Sequence, residues 1–120
     1  ATSSRKVKLP KAPLASSSTM WVAIVGSATI TTRVRSRPRP AIAAAAAAVG
    51  DVDRLTGVLK VTGFVASTPE FTGQPGVING ASEVLGEIFG DAGRHARSAV
   101  GVPVLPLDSP VEVEVVFAFA

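Results

Sequence analysis

Apolar and polar positions alternate most cleanly at the end of the chain. Val111, Val113, Val115, Phe117 and Phe119 take every second place, with Glu112 and Glu114 between them. A period of two is the mark of a strand with one face buried. Just upstream, Val100, Val102 and Val104 read as another strand, a buried apolar run ending at Leu105-Pro106. Asp108-Ser109-Pro110 reads as the turn that follows. The pattern predicts an antiparallel pair, which would bring Arg97, at the entrance of the first strand, close to a glutamate of the second. A different period runs through Ala81, Val84, Leu85, Ile88 and Phe89, whose spacing places them on one face of a helix. Ser82, Glu83 and Glu87 fall on the opposite face. Asn79 is the expected N-cap and Gly90 the expected stop.

Between these landmarks the pattern is plainer. Residues 55–66 are apolar on both faces and predict a mostly buried strand. Pro69, Gly73, Pro75 and Gly76 make residues 67–76 a loop. Residues 41–49 are almost pure alanine, bounded by Pro40 and Gly50, and predict a short helix with little side-chain bulk. Asp51-Val52-Asp53 reads as its exit turn. Within the first forty residues only 21–34 carry strand formers, with Gly26-Ser27 as the hairpin turn. Arg33, Arg35, Arg37 and Arg39, with Pro38 and Pro40, read as a basic connector that breaks the strand. The order is then strand, strand, helix, strand, helix, strand, strand: an α+β sheet with two helices on one face.

Charge divides the chain in two. Residues 1–50 hold eight Lys or Arg and no acid, whereas residues 51–120 hold four Lys or Arg and all nine acids. Residues 1–20, rich in Ser, Lys and Pro, read as a flexible basic arm, and residues 21–120 as a single domain. Such an arm is a solvated tail, an organelle transit peptide or a phosphate-gathering nucleic-acid arm. No aromatic interleaves with its charges, so base stacking has no support there. The abrupt change near residue 40 is also what a shifted reading frame of GC-rich DNA would encode. The chain has no cysteine and one histidine. Disulfide and thiolate chemistry are therefore absent, and neither a metal site nor a cofactor is expected. No apolar run reaches the roughly 20 residues of a membrane span, so a cytoplasmic protein without a membrane partner is expected.

Ala96-Arg97-Ser98, Leu105-Pro106 and Val111-Glu112-Val113-Glu114 resemble, in order and spacing, the signature of the Rid (YjgF) family of reactive intermediate deaminases. The resemblance continues upstream and covers residues 41–119. It implies a chorismate-mutase-like sheet with two helices on one face. It also implies a homotrimer whose sheets enclose a central barrel, with ligand clefts between subunits. In deaminating members the arginine matching Arg97 holds the carboxylate of a 2-imino or 2-aminoacrylic acid. The glutamate matching Glu112 orients or activates the water that attacks the imine carbon. Asn79 stands where the family often has an asparagine and is taken as substrate-binding. The family's N-terminal tyrosine, which helps to close the cleft, has no counterpart, since this chain contains none.

The chemistry suits these residue types. A guanidinium pairs with a carboxylate through two parallel hydrogen bonds, and a glutamate can serve as general acid or base. The alternative for Arg97 is a cross-strand surface pair with Glu112 or Glu114, worth ~0–1 kcal/mol. His95, beside Arg97, reads as ordinary polar surface. Three functions follow: hydrolysis of an enamine or imine to a 2-keto acid and ammonia, a non-enzymatic carboxylate-binding or structural trimer, and RNA binding or cleavage through the basic N-terminal region.

Overall fold

The computed structural model of the protein describes residues 4–6, 19–25, 28–35 and 38–120. Six strands make one mixed sheet: β1 (Ser4–Lys6), β2 (Thr19–Val25), β3 (Thr29–Arg35), β4 (Leu55–Ala66), β5 (Ala96–Val102) and β6 (Val111–Phe119). Their order across the sheet is β1-β2-β3-β6-β4-β5. Helices α1 (Pro38–Val49) and α2 (Gln74–Phe89) pack against one face. The α+β architecture expected from the sequence is the one observed. Within the stretch read as a flexible arm, Ser4–Lys6 pairs with β2, and residues 7–18 lie outside the described residues. The expected turn at Gly26-Ser27 also lies outside them, as does Arg37.

The alternation of β6 decides which side is the core. Val113, Val115 and Phe117 are buried under the helices, together with Ile30 and Val34 of β3 and Val61 and Val65 of β4. Removing Phe117 alone from water stabilises the fold by ~1.5–3 kcal/mol. From α1 come Ala41, Ile42, Ala44, Ala45 and Val49, and from α2 Ile78, Ala81 and Leu85. Alanine lets α1 lie close to the strands beneath it. Arg54 fastens the far end, donating to the carbonyls of Val49 and Ala120 and lying over the Phe119 ring.

Several expectations need correction. β5 is not paired antiparallel with β6. It runs parallel to β4, with Arg97 opposite Val61 and Val100 opposite Phe64. α2 carries the chain back across the sheet, and a strand following such a crossover lies parallel to the one before it. β6 then takes the other edge of β4 and fills the place between β4 and β3. The valine run of β5 is not buried either: Val100 is 43% exposed and Val104, beyond the strand's end, 69%. As an edge strand under the flank of α2, β5 has little to cover it. The turn into β6 comes earlier than Asp108-Ser109-Pro110, with positive φ at Leu107 and Asp108. β4 buries one face rather than both, leaving Leu59 and Lys60 exposed. The basic connector is shorter than expected, because Arg33 and Arg35 belong to β3 and Arg39 to α1. α2 begins at Gln74, inside the expected loop. Its N-cap is Gly73, and Pro75 lies in the first turn, where a missing N–H costs nothing. Asn79 is therefore inside the helix rather than capping it.

Among the described residues no helix is long and apolar enough to cross a membrane. The tightest packing lies between α2 and β4, where a Cβ on Gly63 would stand 2.3 Å from two carbons of Ile78. Gly63→Ala is expected to cost about 1–3 kcal/mol through overpacking. Combined with Ile78→Ala, the loss is expected to be smaller than the sum of the single losses. Urea denaturation of the four chains measures both, and additive losses would show that the two positions do not meet.

Candidate functional site

Arg97 projects from the second position of β5. Its backbone neighbour in β4, Val61, points into the helix-covered core, so Arg97 emerges on the helix side of the sheet. There its Nη1 donates to Asn79 Oδ1 at 2.7 Å and more weakly to Ser82 Oγ at 3.4 Å, both on α2. The guanidinium is exposed, and its Nε and Nη2 bond none of the described residues. Arg97 and Asn79 are thus brought together. Asn79 holds the arginine instead of capping the helix.

Glu112 lies elsewhere. It faces away from the helices, opposite Arg35 of β3 on one side and Phe64 of β4 on the other. Its side chain is nonetheless 0% exposed. Arg33 reaches diagonally across from the position opposite Glu114, donates to Glu112 Oε2 from Nε (2.9 Å) and places Nη2 2.8 Å from the same oxygen. The same guanidinium stacks 4.4 Å from the centre of the Phe64 ring. A buried carboxylate is costly unless it is paired, and Arg33 supplies the pairing. Glu112 Oε1 and Arg35 Nε are both buried and have no hydrogen-bond partner among the described residues. Glu114, the other acid of the strand, is half-buried.

Arg97 and Glu112 therefore do not meet within one chain. They stand on opposite faces of the sheet with β4 between them. Two strand spacings separate them by about 10 Å laterally, and three residues along β4 by about 10 Å more. The expected cross-strand pairing of Arg97 with Glu112 or Glu114 does not form, because β4 occupies the place beside β6. The partner is Arg33, a residue the sequence reading placed in a connector. The signal for it was present: Thr29, Thr31, Arg33 and Arg35 alternate with Ile30, Thr32 and Val34 at a period of two.

His95 is more than polar surface. Its Nδ1 lies 2.6 Å from the Gly93 carbonyl oxygen and its Nε2 2.9 Å from Ser82 Oγ. Gly93 is held close to α2, since a Cβ there would lie 2.5 Å from the Leu85 carbonyl oxygen. That contact positions the short turn at residues 90–93, and the turn in turn positions the imidazole beside the helix.

The pattern of strands, helices and signature residues has a match among known proteins. A model of the family described as "YjgF/chorismate_mutase-like, putative endoribonuclease" matches residues 23–120. The chain belongs to this family. The match begins within β2, so the family's domain takes in the N-terminal hairpin that the resemblance, read from residue 41, had left out. Protein TCP17 of Trypanosoma cruzi is 52% identical over 68 residues, 56% of this chain and 42% of its own length. This chain thus spans less than half the length of that curated relative. A Shewanella oneidensis protein carrying the same endoribonuclease description superposes with a TM-score of 0.72 at 25% identity, covering 82% of this chain and 83% of its own. E. coli TdcF, solved with bound serine, shares the fold at 17% identity, with a TM-score of 0.57 over 81% of this chain and 85% of its own.

The ion pair under Phe64 is open to a direct test. Arg33 is 27% exposed, so removing it does not strand Glu112 in a fully dry interior. Arg33→Met is expected to destabilise the fold by about 2–4 kcal/mol, because a buried carboxylate loses its partner. Adding Glu112→Gln is expected to recover at least half of that loss. Chemical denaturation of the single and double variants checks it, and equal losses in both would show that the two side chains are not coupled.

Proposed function

We propose that this YjgF-family protein binds small carboxylic acids at Arg97 and hydrolyses their enamine or imine forms to 2-keto acids and ammonia. The observation that carries the reading is the state of the guanidinium. Asn79 fixes one nitrogen, while Nε and Nη2 have no partner among the described residues and form the edge that takes a planar carboxylate through two parallel bonds. An arginine held in this way loses little freedom when a ligand arrives. The bound serine of TdcF, itself an amino acid with a carboxylate, agrees with a ligand of this class.

In this reading Glu112 orients the water that adds to the imine carbon. The carbon–nitrogen bond then breaks and ammonia departs. Arg97 and Glu112 of one chain lie on opposite faces of the sheet, so a cleft that uses both draws them from two copies. We accordingly read the working unit as a homotrimer with its clefts between subunits. Glu112 Oε1, which has no hydrogen-bond partner among the described residues, is the oxygen left for the water, and Arg33 on Oε2 fixes the carboxylate.

A second reading is carboxylate binding without turnover. It is favoured by the complete burial of Glu112 in the single chain and by its commitment to Arg33. The RNA reading draws on the endoribonuclease wording of the family description. Against it, Arg33, which could have gripped phosphate, is spent on Glu112.

Ammonia release from freshly generated 2-iminopropanoate is expected in the parent chain and lost on Arg97→Ala and on Glu112→Gln. Co-refolding the two inactive variants is expected to restore a fraction of the rate, since mixed assemblies contain sites with both residues intact. Carboxylate affinity without ammonia release would leave the binding reading standing. Turnover unaffected by Arg97→Ala would overturn both.

A further inference from the structure

We infer that Ser82 and His95 form a nucleophile–base pair that carries out acyl transfer on short-chain esters, an activity separate from imine hydrolysis. The geometry is that of an activated hydroxyl. A carbonyl oxygen only accepts, so the 2.6 Å contact with Gly93 requires the proton of the neutral imidazole to sit on Nδ1. Nε2 is then the free lone pair, and the Ser82 hydroxyl donates to it at 2.9 Å. A hydroxyl, a base and a group that orients the base within hydrogen-bond reach are the general requirements of an activated serine. Here the orienting group is a backbone carbonyl, itself fixed by the close approach of Gly93 to α2.

Two further features point to a reacting group rather than a simple tie between helix and loop. The hydroxyl has a cation beside it: Arg97 Nη1 lies 3.4 Å from Ser82 Oγ, where it can meet negative charge developing on an acyl oxygen. The pair also borders a shallow, open cleft, lined by Gly86, Gly90 and Gly93 and by the charged Asp91 and Arg94. Added Cβ atoms at Gly86 and Gly90 would touch nothing, so these two walls face open space, and Ser82 itself is half-exposed. With no large apolar wall, the cleft suits a short acyl group and gives a long one nothing to pack against.

The step balances without a redox partner. Ser82 Oγ bonds to the acyl carbon, its proton passes to His95 Nε2, and the bond to the leaving alcohol breaks as that oxygen takes the proton. Water then attacks the acyl-serine, with His95 accepting and returning its proton. The acid is released and the serine restored.

The test uses the intact chain with p-nitrophenyl acetate and a fluorophosphonate, which phosphonylates activated serines with loss of fluoride. The expected result is a fluorophosphonate adduct located on Ser82 by peptide mass spectrometry. Ester hydrolysis is expected to fall at least about tenfold in Ser82→Ala and in His95→Ala. Added imidazole is expected to restore part of the His95→Ala rate, which a merely structural histidine would not allow. A second arm avoids dependence on those variants. The chain has no cysteine, so Ser82→Cys introduces its sole thiol. Alkylation of that thiol by iodoacetamide is expected to slow at least about tenfold when His95→Ala is added. No adduct on Ser82, hydrolysis unchanged by Ser82→Ala, or alkylation indifferent to His95 would each overturn the proposal. The imine assay measures ammonia and the ester assay an alcohol, so either activity can fail without the other.

Discussion

The last strand of this chain lies in the middle of its sheet. β6 pairs on one side with β3 and on the other with β4, antiparallel to both. Its alternation then constrains everything around it. Val113, Val115 and Phe117 must face the helices, because only there is enough apolar surface to bury them. Glu112 and Glu114 are consequently driven to the opposite face. Slipping the register by one residue would bury the two acids under α1 and α2 and expose the valines, so the register is strongly specified.

The burial of Glu112 follows from that placement. A carboxylate forced onto the inner strand of a sheet, between β3 and β4, has neighbours on both sides and little water. It is tolerated because Arg33 reaches it from β3 and lies against Phe64 from β4. This cluster joins the three central strands on the helix-free face, much as the aliphatic core joins them on the other. Among the described residues Glu112 Oε1 and Arg35 Nε of this cluster are buried without a hydrogen-bond partner.

Position in the sheet separates two kinds of environment. Arg97 and the Ser82–His95 pair belong to the edge, where β5, α2 and the short turn at residues 90–93 meet. Edge strands are poorly covered, which keeps those groups within reach of small molecules. Glu112 belongs to the centre and is sealed. A site on the edge can act within one chain, whereas a site that uses Glu112 depends on what is placed over the open face of the sheet.

Much of this was legible in the residues. The alternation of β6, the helical stripe of α2, the alanines of α1 and the limits of β4 are local periodicities, and each became the expected element. The signature around Arg97 and Glu112 pointed to the family. Pairing between elements was not legible. Which strand lies beside which is decided by how α2 packs across the sheet, and that depends on buried contacts such as Gly63 against Ile78. The choice set β5 parallel to β4, parted Arg97 from Glu112, gave the glutamate to Arg33 and brought His95 to Ser82. A sequence states which face of its own strand or helix a side chain occupies. Its neighbours come from distant parts of the chain, and only the packed structure assigns them.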